Sequence, residues 1–258
     1  MTDERPDPLS GDFDGAFGAG VIDTDFTDLP DWLLPLAEAV DAVGPGDHFL
    51  GRPALRRPSS LAGDPNPSAV LILFADSPKH GPDVLITERS AKLRSHAGQA
   101  AFPGGRIDPL ADGTADEGPI RAALREAREE AGVDPAGVRV FGELPELYLP
   151  PSDFMVTPVL AWWRTPGGAT VASPDEVEAV HRVPVAELTE PANRFRLRHP
   201  SGYEGLAFLV DELLVWGFTA GVLDAVLRLG GWERSWEPAP LHELPLDVRD
   251  FRRARGPA

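Results

Sequence analysis

Apolar residues in the first third of the chain recur in a helical pattern and then in runs of strand length. Apolar positions from Trp32 to Val43 keep helical spacing up to Gly44-Pro45-Gly46, and Asp31 is the expected N-cap. Ala69–Phe74 is continuously apolar, and Val84–Thr87 follows it across a turn-rich segment. We therefore expect an amphipathic helix, packed on the main domain or on another subunit, followed by two adjacent strands.

Strand and helix patterns continue to alternate through the second half of the chain. The predicted strands are Val138–Leu144, Met155–Trp163 and Glu178–Val183, then a hairpin of Arg194–Arg198 with Leu206–Val210. The predicted helices are Val185–Leu188 and Trp216–Leu229. Strands interleaved with a few helices in this order imply an α/β sandwich with a mixed sheet.

A third helical pattern, near the middle of the chain, carries a cluster of acidic residues. Pro119 suits a first turn and Gly132 suits the position after a last turn, which predicts a helix over about Gly118–Ala131. Three glutamates stand at positions i, i+3 and i+4 and share one face, at the edge of the apolar stripe. These glutamates are Glu126, Glu129 and Glu130.

The three clustered carboxylates repel one another unless a cation lies among them. Repulsion costs about a few tenths of a kcal/mol per pair, and a bound cation reverses its sign. Oxygen ligands of this kind suit Mg²⁺ or Mn²⁺, and Gly104-Gly105 upstream allows close approach of the backbone to a metal or phosphate. The alternative is a surface helix with an ordinary solvated acidic face. Arg125 and Glu129 form an i, i+4 pair, so the arginine is expected to hold that glutamate.

Composition and charge narrow the remaining classes. The chain has 258 residues and no cysteine, which excludes disulfides and thiolate metal sites, and its net charge of −17 disfavours nucleic acid and anionic membranes as partners. A signal-like apolar region and a bilayer-length apolar run are both missing, so we expect a cytoplasmic protein. We divide the chain into an acidic arm with one amphipathic helix (1–66), a main domain (67–233) and an irregular tail (234–258).

The central helix also carries a recognisable motif. Arg125–Val133 is similar to the C-terminal half of the Nudix box, G-x5-E-x7-R-E-U-x-E-E-x-G-U with U aliphatic. Glu117 falls where the box has its first glutamate, but the next step back lands on Ala111, while Gly105 lies six residues further upstream. An insertion around Asp108–Asp116 accounts for the gap.

A second motif precedes the box. Leu85–Gly105 resembles L-L-T-x-R-[SA]-x3-R-x3-G-x3-F-P-G-G, the signature of the coenzyme A pyrophosphatase branch of the Nudix hydrolases, and departs from it only at Ile86. Similarity to that branch covers about residues 68–230. The resemblance implies a Nudix-type α/β/α sandwich with a mixed β-sheet.

The resemblance also implies an activity and a metal site. Coenzyme A or its acyl and oxidised derivatives would be cleaved at the pyrophosphate, giving adenosine 3′,5′-bisphosphate and 4′-phosphopantetheine. Attack by water on one phosphorus would be assisted by Mg²⁺ or Mn²⁺. The implied metal ligands are Glu126, Glu129, Glu130 and the Gly105 carbonyl. Arg125 would orient Glu129, and the proton acceptor is left open among Glu129, Glu130 and Glu176.

Five residues are candidates for contact with the substrate. Arg89 and Arg94 match phosphate oxygens through their guanidinium groups, although structural ion pairs would also explain them. His96 is a phosphate contact or a hydrogen-bonded structural histidine. Ser152 and Phe154 would line the pantetheine side, and plain core packing is the alternative for Phe154.

Two other functions stay open at this stage. A Nudix hydrolase could act on another nucleoside diphosphate derivative, such as a dinucleotide or a nucleotide sugar, although the Leu85–Gly105 signature argues against it. A Nudix domain could also serve as a binding module without turnover, although all three box glutamates are present. The sequence leaves a homodimer possible.

Overall fold

The computed structural model describes residues 22, 25–44, 50, 63–93, 95–110, 115–235 and 241–244. Most of the predicted acidic arm and of the predicted irregular tail therefore lies outside the described residues. Among the described residues, no helix is both long enough and apolar enough to cross a bilayer.

Eight strands form the main sheet, and its centre is a parallel pair. The strands are β1 (Asn66–Ser77), β2 (Gly81–Arg89), β3 (Ala100–Ala101), β4 (Gly104–Arg106), β5 (Val138–Glu143), β6 (Leu147–Leu149), β7 (Phe154–Trp163) and β8 (Val177–Pro184). Their order is β3-β2-β1-β7-β5, with β4 paired to β1, β6 to β7 and β8 to β2. Strands β1 and β7 run parallel, whereas β1 and β2, like the other pairs, are antiparallel, so the sheet is mixed as predicted.

Helices cover both faces of this sheet. The described α-helices are α1 (Leu34–Asp41), α2 (Gly118–Ala131), α3 (Val185–Thr189) and α4 (Gly217–Leu229). Helix α2 packs against one face through a cluster that includes Ala69 and Leu71, whereas α1 and α4 share a cluster with Ile72 on the other face. Successive strand residues point to opposite faces, so one strand supplies both clusters. The predicted α/β/α sandwich is confirmed.

A second, four-stranded sheet follows in the order β11-β10-β9-β12. Its strands are β9 (Arg194–Arg198), β10 (Glu204–Val210), β11 (Leu213–Trp216) and β12 (Leu241–Glu243). The predicted β9–β10 hairpin is confirmed, but β11 was not predicted and β12 falls where an irregular tail was expected. Strand β12 is three residues long and pairs in parallel with β9, so its hydrogen-bond partners come from residues distant in sequence.

The helix predicted near the N-terminus packs on the main domain. Leu33 and Leu36 are fully buried, and Trp32 lies against Phe74 of β1 with ring centroids 6.3 Å apart. The predicted N-cap at Asp31 is wrong, because the helix begins at Leu34 without a side-chain cap. Pro35, in the first turn, favours this start. The N–H groups of a first turn have no partner within the helix, so proline, which lacks an N–H, loses no hydrogen bond there.

We predict that Leu36→Ala lowers the free energy of unfolding by about 2–4 kcal/mol, because a fully buried leucine leaves a cavity when truncated. Glu38→Ala on the exposed side of the same helix should change it by less than about 0.5 kcal/mol. Urea denaturation followed by tryptophan fluorescence measures both. Equal effects of the two substitutions would show that α1 is not part of the domain core.

Candidate functional site

Helix α2 forms over the predicted residues and is fixed at both ends. Its first turn contains a proline, and Gly132 ends it in the left-handed conformation at φ 65°. Beyond Gly132, the chain returns to the helix end: the Thr170 N–H donates to the Ala131 carbonyl and the Ala172 N–H to the Glu130 carbonyl, both at 3.1 Å. These bonds satisfy carbonyls that a helix end leaves without partners.

The three glutamates of α2 differ in their exposure. Glu130 is buried, with 5 % of its surface exposed, so its predicted place at the edge of the core is wrong. The side chain of Glu126 is 15 % exposed and that of Glu129 is 49 % exposed. Strand β4 lies across the helix and covers Glu130, whose Oε2 accepts a hydrogen bond of 3.3 Å from the Gly104 N–H.

Gly105 lies directly against the neighbouring carboxylate. A Cβ on this residue would overlap the Glu126 carboxyl group, and a Cβ on Gly104 would overlap the backbone of Val70. The sequence suggested that a Cβ here would block a metal or phosphate, and the structure adds that it would displace Glu126. Strand β4 therefore needs both glycines to approach α2 and β1 this closely.

Arg125 holds the acidic groups in place. Nε donates to both Glu117 oxygens at 3.2 Å, and Nη1 donates to Glu126 at 2.9 Å and to Glu129 at 3.1 Å. Nη2 donates to Glu117 at 2.8 Å and to the Arg106 carbonyl at 3.0 Å. A guanidinium has five N–H donors, so these contacts leave Arg125 without a spare donor. Hydrogen bonding to Glu117, together with the nearby carboxylates, raises the pKa of Arg125 above its usual value.

The insertion in the motif folds so that Glu117 still reaches its partner. Pro109 and Asp116 form an isolated antiparallel bridge, and the Glu117 N–H donates to the Asp108 carbonyl at 3.0 Å. The Glu117 carboxylate accepts from the Asp108 N–H at 3.0 Å as well as from Arg125. Residues 111–114 lie outside the described part, but the two ends of the insertion meet. The insertion therefore does not separate Glu117 from Arg125.

Burial and mutual repulsion define the electrostatics of the two inner glutamates. Burial, followed by the charge of Glu126, raises the pKa of Glu130 to about 8, against the opposing effect of Arg89. Burial also raises the pKa of Glu126, although Arg125 opposes the shift. Buried carboxylates with raised pKa values are typical of sites that a cation or a proton neutralises.

The donor set fits a hard divalent cation, although the side chains do not form a closed cage. Carboxylate oxygens beside a glycine backbone are ligands that Mg²⁺ and Mn²⁺ prefer. Within the described residues, no group of three acidic or histidine side chains is already arranged around one metal position. Glu129 is held by Arg125 at the rim, whereas Glu126 and Glu130 lie further in.

Arg89 and Glu176 lie beside the carboxylates. Arg89 ends β2, where its charge acts on Glu130, and its Nε is buried without a hydrogen-bond partner among the described residues. Glu176 is exposed and acts electrostatically on both Glu126 and Glu130. Its carbonyl accepts a hydrogen bond of 2.8 Å from the Ser90 N–H, which ties its loop to the end of β2.

The remaining predicted contacts are more scattered. His96 is exposed, has a positive φ of 60°, and its Nδ1 lies 3.0 Å from Oε1 of Gln99. Arg94 lies outside the described residues. Ser152 lies in a short 3₁₀ turn, where its Oγ donates to the Leu149 carbonyl at 3.4 Å, and Phe154 begins β7. The structure therefore brings Arg89 to the carboxylates and leaves His96 on an exposed loop.

Sequence reasoning missed one cationic residue at this end of the sheet. Arg106 directly follows Gly104-Gly105, and its guanidinium lies over the Phe154 ring with Cζ 6.0 Å from the centroid. Its position immediately after the two glycines was the available signal.

Solved structures of low sequence identity are similar to part of this chain. A Nudix hydrolase from M. smegmatis, RenU, is 24 % identical, with 48 % of this chain and 74 % of that chain covered and a TM-score of 0.39. A MutT/nudix family protein from Enterococcus faecalis is 17 % identical, with 67 % and 63 % covered and a TM-score of 0.43. Similarity at this level bears on neither substrate nor mechanism.

Relatives found by sequence are more similar to this chain than these structures are. A model of the NUDIX domain matches residues 65–203. A protein of Salmonella paratyphi B named as an uncharacterized Nudix hydrolase, NudL, is 35 % identical over 198 residues, which cover 71 % of this chain and 94 % of that protein. Proteins of the same name from Salmonella typhi and Salmonella typhimurium match equally well. The chain therefore belongs to the Nudix hydrolase family, whose members act on nucleoside diphosphate derivatives and generally use divalent ions such as Mg²⁺ or Mn²⁺.

Proposed function

We propose that this protein hydrolyses the pyrophosphate bond of coenzyme A and its derivatives to adenosine 3′,5′-bisphosphate and 4′-phosphopantetheine. One observation carries the proposal. The segment that resembles the coenzyme A signature, Leu85–Gly105, runs from β2 into the two glycines that contact Glu126 and Glu130. Residues of the signature and the inner carboxylates thus meet at one place, where substrate selection and hydrolysis would be coupled.

The metal in this proposal is Mg²⁺ or Mn²⁺, held by carboxylates of α2. Glu126 and Glu130 supply the inner ligands, Glu129 supplies a ligand from the rim, and the Gly105 carbonyl is a further candidate. When bound, a divalent ion neutralises phosphate charge and makes water a stronger nucleophile. Arg125 keeps Glu126 and Glu129 oriented, and the Gly104 N–H keeps Glu130 in place.

The acidic groups also supply a proton acceptor for the attacking water. Glu129, Glu130 and Glu176 are the three candidates. Glu176 gains support from its position, because its loop is tied to Ser90 and its charge acts on both inner carboxylates. A loop fixed in this way holds a carboxylate near the reacting water without requiring it to bind the metal.

Substrate contacts in this proposal extend from the carboxylates along the signature segment. Arg89 beside Glu130 and Arg94 further along the segment are proposed to contact the adenosine phosphates, because guanidinium groups pair well with phosphate oxygens. His96, Ser152 and Phe154 complete the set of proposed contacts. A cytoplasmic location and a homodimer stay predictions from the sequence.

A different nucleoside diphosphate derivative is the alternative substrate class, and a binding module without turnover is the alternative without catalysis. The first is opposed by the Leu85–Gly105 signature. The second is opposed by Glu117, Glu126 and Glu129, because all three carboxylates remain bonded to Arg125 despite the insertion. A module that only binds a ligand would not need this set of hydrogen bonds.

We expect the purified protein to release adenosine 3′,5′-bisphosphate from coenzyme A in the presence of Mg²⁺ or Mn²⁺, measured by separation of the products. Glu129→Gln should lower kcat by more than about 100-fold while its thermal midpoint is retained, because a charged ligand is lost from an accessible position. Glu212→Gln, at an exposed residue in the turn between β10 and β11, is the matched control. Turnover of another diphosphate without any coenzyme A hydrolysis would refute the substrate.

The raised pKa of Glu130 predicts a pH-dependent stability of the metal-free protein. The folded chain keeps the Glu130 proton up to about pH 8, whereas the unfolded chain releases it near its ordinary value of 4.5. Stability from this group is therefore complete below pH 4.5 and is lost as the pH rises towards 8. Glu130→Gln removes that loss.

In EDTA, Glu130→Gln should raise the thermal midpoint at pH 8 by about 4 °C or more and change it little at pH 4.5. Mg²⁺ or Mn²⁺ should raise the midpoint of the unmodified protein at pH 8 and have a much smaller effect on the variant, because the second inner ligand is gone. Scanning calorimetry at the two pH values measures these differences. The same shift at both pH values would contradict the assignment.

A further inference from the structure

A polyanionic substrate needs cationic groups near the carboxylates whose donors are not already used. All five N–H groups of Arg125 are used by carboxylates and by one backbone carbonyl. Arg89, which is half-buried and acts through its charge on Glu130, is already proposed as a contact of the adenosine phosphates. Arg106 differs from both because it is exposed at the end of β4. Within the described part of the chain, it forms no ion pair with a carboxylate.

Strand pairing fixes the direction in which Arg106 points. Gly105 pairs with Ala69, which lies in the cluster beneath α2, so this pair marks the α2 face of the sheet. Arg106 pairs with Ser68, the next residue towards the start of β1, and therefore points to the opposite face. Because Gly105 and Arg106 are consecutive, the backbone of Arg106 adjoins the carboxylate site, whereas its guanidinium lies on the opposite face of the sheet.

Two neighbours hold the guanidinium of Arg106 in place. It donates a hydrogen bond to the side-chain oxygen of Asn66, and it lies over the ring of Phe154 at 6.0 Å from the centroid. Asn66 and Phe154 are paired residues at the ends of β1 and β7, so they share the face to which Arg106 points. Among the described residues, the side chain of Asn66 is the one hydrogen-bond acceptor for this guanidinium.

The strand ends that carry Asn66 and Phe154 are themselves rigid. Asp153, between the 3₁₀ turn and β7, has a positive φ of 51°. Its side chain accepts a hydrogen bond of 3.0 Å from the Tyr148 hydroxyl, and its carbonyl accepts one of 2.9 Å from the Asn66 N–H. Backbone strain of this kind is kept only where surrounding contacts enforce it. The support beneath Arg106 is therefore preorganised.

We propose that Arg106, positioned by Asn66 and Phe154, binds a phosphate group of the substrate other than the scissile diphosphate. The inference rests on the proposed function, because coenzyme A carries such a group as the 3′-phosphate of its ribose. An exposed guanidinium matches a phosphomonoester, which accepts paired hydrogen bonds. The pantetheine half of coenzyme A carries no other anionic group and offers nothing of this charge.

With the 3′-phosphate at Arg106, the two halves of the substrate take defined positions on either side of the scissile bond. The adenosine half lies on the Arg106 side, over the ends of β1, β4 and β7. Phe154 then supports the nucleotide, and not the pantetheine side to which the sequence assigned it. Arg106 thereby becomes a specificity-determining residue that selects substrates with a 3′-phosphate.

The test compares coenzyme A with dephospho-coenzyme A, which lacks only the 3′-phosphate. We expect the unmodified protein to prefer coenzyme A in kcat/KM, mainly through KM. Arg106→Gln should lower that preference by about 10- to 100-fold, the range expected for a hydrogen-bonded charge pair. Arg106→Lys should keep part of the preference, and Phe154→Ala should give an intermediate loss. Arg196→Gln, an exposed arginine of the second sheet, should leave the preference unchanged.

The possible outcomes distinguish a failure of the proposed function from a failure of this inference alone. If the unmodified protein hydrolyses neither compound, the proposed function fails and the inference fails with it. If it hydrolyses both and Arg106→Gln changes both values of kcat/KM by the same factor, the proposed function stands and the 3′-phosphate subsite is refuted. A thermal midpoint for each variant within about 2 °C of the unmodified protein excludes misfolding as the cause of a lost preference.

Discussion

The close approach of strand β4 to helix α2 is the contact on which the candidate site depends. Gly104 and Gly105 have no side chains, so their backbone reaches the helix and covers Glu130 while lying against Glu126. Burial raises the pKa of both carboxyl groups, and the hydrogen bond from the Gly104 N–H opposes the shift at Glu130. In the proposed metal site, a bound cation would offset both the burial and the repulsion of these carboxylates.

Arg125 connects this contact to the rest of the molecule. Its five donors join three carboxylates to the Arg106 carbonyl, so the insertion, the helix and the strand are fixed relative to one another. The insertion can differ in length because its two ends meet before Glu117. In the loop beyond the helix, the backbone N–H groups of Thr170 and Ala172 donate hydrogen bonds to the last carbonyls of α2. Geometry at the site is thus set by hydrogen bonds from four separate segments.

Sequence periodicity predicted the elements, but contacts between distant segments set their details. Helix α2 was predicted over Gly118–Ala131, as observed, because Pro119 and Gly132 mark its ends by local backbone preferences. The burial of Glu130 was missed because a helical pattern does not show which strand will cross above it. Strand β12 was missed for a similar reason, since three residues become a strand only through pairing with β9. Asp31 had the right side chain for an N-cap, yet the helix starts at Leu34, after a turn.

The sequence by itself determined the α/β class, the bounds of helix α2, the shared face of its three glutamates and the family to which the chain belongs. These properties depend on residues within a few turns or on motifs with fixed spacing, so they can be read along one dimension. Tertiary structure decided which carboxylate is buried, that Glu117 still meets Arg125, and that Arg106, Asn66 and Phe154 come together. Arg106, Asn66 and Phe154 lie far apart in the chain, and only the pairing of β1 with β4 and β7 brings them to one edge of the sheet.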